Sequence, residues 1–216
     1  MTRLNLLLAC LLGTAALVAQ TDLPAERPVA FPYPVINSYE SEAARDFAAD
    51  FNVTDVGNLH VYDAELAEGT SEDYMRGVDI APINYRFLPN NIKRQLSKGY
   101  KAYAVHSIRG EGESYFLVKH PAIRKGVEYS LYRFDGNKMK RLVDLAGYSC
   151  NGSTCMQMDS WIRDIDGDTR LDVIQKIKKG DGPATMRVFM QTDGGTFKRD
   201  RKANPDPVLY PLQPKS

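Results

Sequence analysis

The spacing of apolar residues changes character near Gly99. Before it, Ala44, Phe47, Ala48 and Phe51 recur three or four residues apart, which is one face of a helix. Ser41 stands where a capping hydroxyl belongs, so a helix is predicted over 41–51. A second is predicted over Leu88 to Leu96, with Pro89 at its start and Gly99 just past its end. Asn58 to Tyr62 reads as a short strand. After Gly99 the period becomes two. Ala102–Ile108, Tyr115–Lys119, Glu128–Phe134, Met139–Leu145, Met156–Ile165, Leu171–Ile177 and Met186–Gln191 are short and rich in β-branched and aromatic residues. Asp135-Gly136-Asn137, Gly180-Asp181-Gly182-Pro183 and Asp193-Gly194-Gly195 supply the turns between them. The pattern predicts a mainly β fold, an antiparallel sandwich or propeller-like roll, with a small N-terminal helical part.

The two ends break this pattern. Met1-Thr2-Arg3 is a short positive start, and Leu4 to Val18 is an apolar run of 15 residues, shorter than the roughly 20 that span a bilayer. A small residue and a polar exit follow, so residues 1–19 read as a signal peptide cleaved after Ala19. Cys10 lies inside the apolar run, with too little of it ahead for a lipidation box. Pro24, Pro28, Pro32 and Pro34 make 20–37 an extended arm, and Pro205, Pro207, Pro211 and Pro214 make 204–216 a similar tail. Residues 38–203 are then a single β-rich domain.

Charge narrows the function. Removing 1–19 takes Arg3 and no acid, leaving 27 basic residues against 27 acidic ones from the 28 and 27 of the whole chain. A balanced chain has no electrostatic footprint for nucleic acid. Export predicts an oxidising compartment, periplasmic or extracellular. There, Cys150 and Cys155, separated by Asn-Gly-Ser-Thr, read as a structural disulfide across a tight turn. Redox pairs are usually spaced by two residues ahead of a helix.

The sharpest chemistry lies in Asp164-Ile165-Asp166-Gly167-Asp168-Thr169-Arg170-Leu171-Asp172. Counted from Asp164, carboxylates fall at positions 1, 3, 5 and 9. Position 7, Arg170, offers a backbone carbonyl while its side chain points away. Calcium takes six to eight hard oxygens, and carboxylates two apart in a curled loop can share one centre. Magnesium demands stricter octahedral geometry, and zinc would want His or Cys. The expected metal set is therefore Asp164, Asp166, Asp168, Arg170 and Asp172, with calcium as the cofactor. The loop is not an EF-hand, because its glycine is at position 4 and Gln175 stands at position 12.

The loop resembles the calcium loop of FG-GAP/VCBS-type repeats, the blade units of integrin-like propellers. The resemblance continues through Val188 to Phe197, a strand, a glycine turn and a Thr-Phe, so one unit covers about 160–197. It implies that Asp164, Asp166, Asp168 and Asp172 coordinate calcium. The pattern's second glycine is Thr169 here, and a β-branched residue is strained where the backbone turns left-handed. Tyr129 to Asn137 looks like a degenerate copy of the unit's second half, and two units are too few to close a propeller.

No catalytic motif accompanies the loop. His60, His106 and His120 show no metal spacing, Gly110 to Ser114 lacks the lysine and helix of a phosphate loop, and no Gly-x-Ser-x-Gly elbow is present. Trp161, three residues before the loop, reads as a core anchor. Three functions fit. The first is an exported, non-catalytic calcium-binding module with a protein or glycan partner. The second is a periplasmic inhibitor or immunity-type protein against a cell-wall hydrolase. The third is a hydrolase with structural calcium, whose site would be assembled from distant residues. No transmembrane segment is expected in the mature chain.

Overall fold

The computed structural model describes residues 41–54, 57–63, 73–110, 113–122 and 126–214. The signal-peptide and proline-arm readings of 1–37 lie outside these residues. Among the described residues, no helix is long and apolar enough to cross a membrane.

The fold is mainly β with a small helical part, as the periodicity predicts. Helix α1 is Glu42–Ala49, and Ser41 caps it by accepting from the Ala44 N–H at 3.2 Å. A single turn, α2, spans Asp73–Arg76, a 3-10 helix spans Pro82–Phe87, and α3 spans Asn90–Leu96 behind Pro89. The strands are β1 Asn52–Thr54, β2 Leu59–Val61, β3 Val78–Asp79, β4 Tyr103–Arg109, β5 Ser114–Pro121, β6 Val127–Asp135, β7 Lys138–Asn151, β8 Thr154–Arg163, β9 Asp172–Lys179, β10 Thr185–Gln191 and β11 Phe197–Asp200.

All eleven belong to one open, mixed sheet. From β4 to β11 each strand pairs antiparallel with the next, and β1 adds to β4 in parallel. Strand β7 is the hinge of this sheet. Its first part pairs with β6, and its last five residues, Gly147–Asn151, also pair with the start of β8. Past that point β2 takes over beside β8, opposite Ser160–Ile162. Register shifts between β6 and β7 mark bulges, which bend strands.

The sheet therefore curls over itself. β5 and β10 are five places apart in strand order, about 24 Å on a flat sheet at ~4.8 Å per strand. Yet the Gln191 side-chain amide donates to the Tyr115 hydroxyl at 2.5 Å. Inside the curl lies the main core, with Val105, Leu117, Leu131 and Leu145 from one half and Leu59, Val61, Ile162 and Val173 from the other. Outside the first half, α1, the 3-10 helix and α3 bury Phe47, Phe87, Leu88, Ile92 and Leu96 against Phe116, Val118 and Tyr132. Phe47 stacks on Phe87 with ring centroids 5.3 Å apart. β5 is thus buried on both faces, and Tyr115 to His120 form a continuous buried run where a half-exposed strand would alternate.

The Cys150–Cys155 disulfide forms, directly across the β7–β8 hairpin. Gly152 takes the left-handed conformation its turn needs, with φ +61°.

The proline-rich tail, read from the sequence as extended, holds a 3-10 turn over Pro207–Leu209 capped by Asp206, and it straps the outer face of β8–β10. Tyr210 is buried and lies edge-on to Trp161, with centroids 5.1 Å apart, over Ile174 and Val188. Lys176 Nζ donates to the Pro207 and Tyr210 carbonyls, both at 2.8 Å. The Gln213 N–H donates to Asp159 at 2.6 Å, and Gln157 Nε2 donates to the Gln213 carbonyl at 2.8 Å. The strap has no sheet pairing of its own, so its backbone is satisfied within the turn, where the Leu209 and Tyr210 N–H groups donate to the Asp206 and Pro207 carbonyls, and by the side chains named above. Trp161 is a core anchor, sandwiched between Tyr210 and the parallel ring of His60 at 4.4 Å. Tyr210→Ala should lower the unfolding free energy by about 2–3 kcal/mol in urea melts, as burial of one large ring is lost. Val208→Ala in the same strap, 82% exposed, should change it by less than about 0.5 kcal/mol.

Candidate metal centre

The acidic loop is the eight-residue link between β8 and β9, and it closes on the paired residues Arg163 and Asp172. Two left-handed residues curl it, Gly167 with φ +81° and Thr169 with φ +68°. Thr169 is the one non-glycine with positive φ among the described residues, at the position where the repeat pattern carries glycine. The loop's far end is anchored by Leu171, buried in the main core.

The loop backbone folds onto its own carboxylates. Asp164 accepts from the Gly167 N–H at 2.7 Å and the Thr169 N–H at 2.9 Å. Asp166 accepts from the Asp168 N–H at 3.2 Å, and Asp172 accepts from the Ile165 N–H at 3.0 Å. Each of Asp164, Asp166 and Asp172 brings an oxygen to a cluster in which all such atoms lie within 4.8 Å of one another. Oxygens about 2.4 Å from one shared ion lie no more than about 4.8 Å from one another, and the three carboxylates meet that spacing. The donors are all hard oxygens, which suits calcium and offers nothing to a soft metal.

Asp168 and Arg170 sit differently. Asp168 is outside the converging trio, and its carboxylate accepts from the Arg170 N–H at 2.9 Å. The Arg170 side chain does not swing clear of the loop. Its guanidinium reaches Asp193 at 2.6 Å and lies 3.6 Å from the other Asp168 oxygen. It therefore offsets charge on the rim and ties the loop to the β10–β11 turn.

Asp172 differs from its neighbours in burial, at 1% exposed. Desolvation pushes its carboxyl up to about 6, opposed by the N–H donors of Ile165 and Gln191 and helped by the charges of Asp166 and Asp168. The Gln191 N–H bonds it at 3.1 Å, and the Gln191 side-chain oxygen accepts from the Leu171 N–H at 2.8 Å. Sequence reading missed Gln191. Its signal was present, since it stands two residues after Phe189 on the inward face of β10, where alternation places an apolar residue.

The histidines lie elsewhere. His60 bonds Asp159 beneath the strap at 3.3 Å, and His106 bonds Thr54 at 3.2 Å. His120 Nε2 lies 2.9 Å from the Ser130 hydroxyl, which also bonds Asp144 at 3.0 Å. That serine is wholly buried and presents no nucleophile to solvent. Burial holds the His120 imidazole down at about 4. No protein-family model matches the chain, and neither a curated protein nor a solved structure matches it significantly.

Two outcomes are expected. Thr169→Gly relieves a left-handed β-branched residue and should raise stability by about 1 kcal/mol in chemical denaturation. For His120 the folded value is depressed, so the unfolded chain binds the extra proton. The stabilisation is complete above about pH 6.5 and is lost as pH falls toward about 4. Between pH 7 and pH 4.5 the wild type should lose about 2–3 kcal/mol more than His120→Gln, measured by urea melts at both values.

Proposed function

We propose that this chain is an exported calcium-binding β-domain that works as a binding module without chemistry of its own. The observation that carries the reading is the convergence of Asp164, Asp166 and Asp172 at the corner between β8 and β9, with Asp172 buried beneath them. Three carboxylates this close repel one another, and a divalent cation reverses the sign of that interaction. Calcium then ties the end of one strand to the start of the next, so metal binding and folding are coupled.

The likeness to an FG-GAP/VCBS unit is supported by the order of parts. β8, the acidic loop, β9, β10, the glycine turn and β11 follow one another as an antiparallel run. The Cys150–Cys155 bridge fits an oxidising compartment, in keeping with export to the periplasm or beyond. The partner on this reading is a protein or a glycan.

A second reading, a periplasmic inhibitor or immunity-type protein against a cell-wall hydrolase, is favoured by one feature. The hairpin tip Cys150–Thr154 is exposed and is held rigid by its disulfide. A stiff projecting hairpin loses little entropy on entering a cleft.

Calcium titration by calorimetry, with thermal melts in calcium and in chelator, tests the first reading. Saturable binding is expected in the wild type and loss of it in Asp166→Ala/Asp168→Ala. At calcium one hundred times the dissociation constant, the stabilisation should be about 2.7 kcal/mol, a rise of about 5–10 °C in melting temperature. Identical melts with no heat of binding would sink the calcium claim.

A further inference from the structure

The acidic loop and the seam that closes the curled sheet share one buried side chain. Gln191, 8% exposed, engages its backbone N–H and both polar atoms of its side chain at once. Its backbone N–H holds the Asp172 carboxylate and its side-chain oxygen holds the Leu171 N–H, so it grips both residues that end the loop. Its side-chain nitrogen holds the Tyr115 hydroxyl at 2.5 Å, five places away in strand order. The Leu171 N–H fixes which end of the amide faces the loop, leaving the NH₂ for Tyr115.

The chain of contacts continues. Tyr115 is wholly buried and donates to Glu113 at 3.3 Å. Arg133 on β6 donates to Glu113 at 3.4 Å and to the Gly194 carbonyl at 2.6 Å. The path thus returns to the β10–β11 turn, where Asp193 holds Arg170 of the loop. Gly195 is packed into this junction, and a β-carbon there would lie 2.6 Å from Arg133 Nη1 and 2.7 Å from Glu113 Oε2.

We propose that Gln191 is a positioning residue for the metal centre, and that through Tyr115 it couples calcium occupancy to closure of the seam between β10 and β5. The proposal rests on the calcium reading of the loop. In this low-dielectric setting a shift of the loop's end, Leu171 and Asp172, passes to Tyr115 through one residue: the Gln191 backbone N–H holds Asp172, and its side-chain amide spans the Leu171 N–H and the Tyr115 hydroxyl. Calcium therefore binds more tightly when the seam is formed. By reciprocity, the seam is held more firmly when calcium is bound.

The test is calcium affinity and hydrogen exchange in the wild type, Tyr115→Phe and Tyr129→Phe. Tyr129 is an equally buried tyrosine of the same core whose hydroxyl donates to the Met75 carbonyl at 3.2 Å. Both variants lose a buried hydroxyl and should lose similar stability in chelator. Tyr115→Phe should weaken calcium binding about five- to tenfold, and Tyr129→Phe should leave it within twofold. In the wild type, calcium should slow exchange in peptides covering Glu113–Leu117 as well as Phe189–Gly195. In Tyr115→Phe the protection of Glu113–Leu117 should vanish and that of Phe189–Gly195 should persist. If the wild type binds calcium and Tyr115→Phe binds it equally well, the coupling is overturned and the metal reading stands. If the wild type binds no calcium, both fall together.

Discussion

A carboxylate taken out of water costs several kcal/mol unless donors or a cation meet it, and Asp172 is buried at the first position of β9. Two backbone N–H groups, from Ile165 and Gln191, meet part of that cost. Their directions set the geometry around them. The first requires the loop to curl back over its own end, and the second requires β10 to lie against β9 in the register that puts Gln191 beside Asp172. The curl of the loop in turn brings Asp164 and Asp166 to the same place. One buried charge thus links local backbone shape, strand register and the gathering of three carboxylates.

The curled sheet solves a related problem on a larger scale. Eleven strands expose two broad faces, and the helical segment covers only the outside of the first half. Folding the second half over the first buries the inner faces against each other, and the strap from 204 onward covers part of what remains. The seam where the halves meet is polar as well as apolar, because Tyr115 and Gln191 carry their hydrogen-bonding groups into it. A polar seam specifies register, since a shifted pairing would leave both groups unsatisfied.

Much of this was legible in the chain. Period two gave seven strands close to where they form, and Ser41, Pro89 and Gly99 marked helix ends. The acidic loop was legible because its spacing is local, and Thr169, standing where the repeat pattern has glycine, does take the left-handed conformation, with φ +68°. What escaped detection depends on contacts distant in sequence. β1, β3 and α2 are too short to carry a period. The tail reads as an extended segment because its prolines exclude helix and central strand, and nothing local shows that Lys176, Gln157 and Asp159 grip it. Asp168 looks equivalent to its neighbours by spacing, but the Arg170 N–H and guanidinium claim its carboxylate.

Terbium luminescence addresses the central claim, that the β8–β9 corner is a hard-cation site, most directly. Terbium occupies calcium sites, and Trp161 stands three residues before Asp164 as a built-in sensitiser. Exciting the tryptophan should give saturable terbium emission that calcium displaces at far lower concentration than magnesium, and that Asp172→Asn abolishes. Absence of sensitised emission in the wild type, or emission that persists in Asp172→Asn and ignores calcium, would contradict the account.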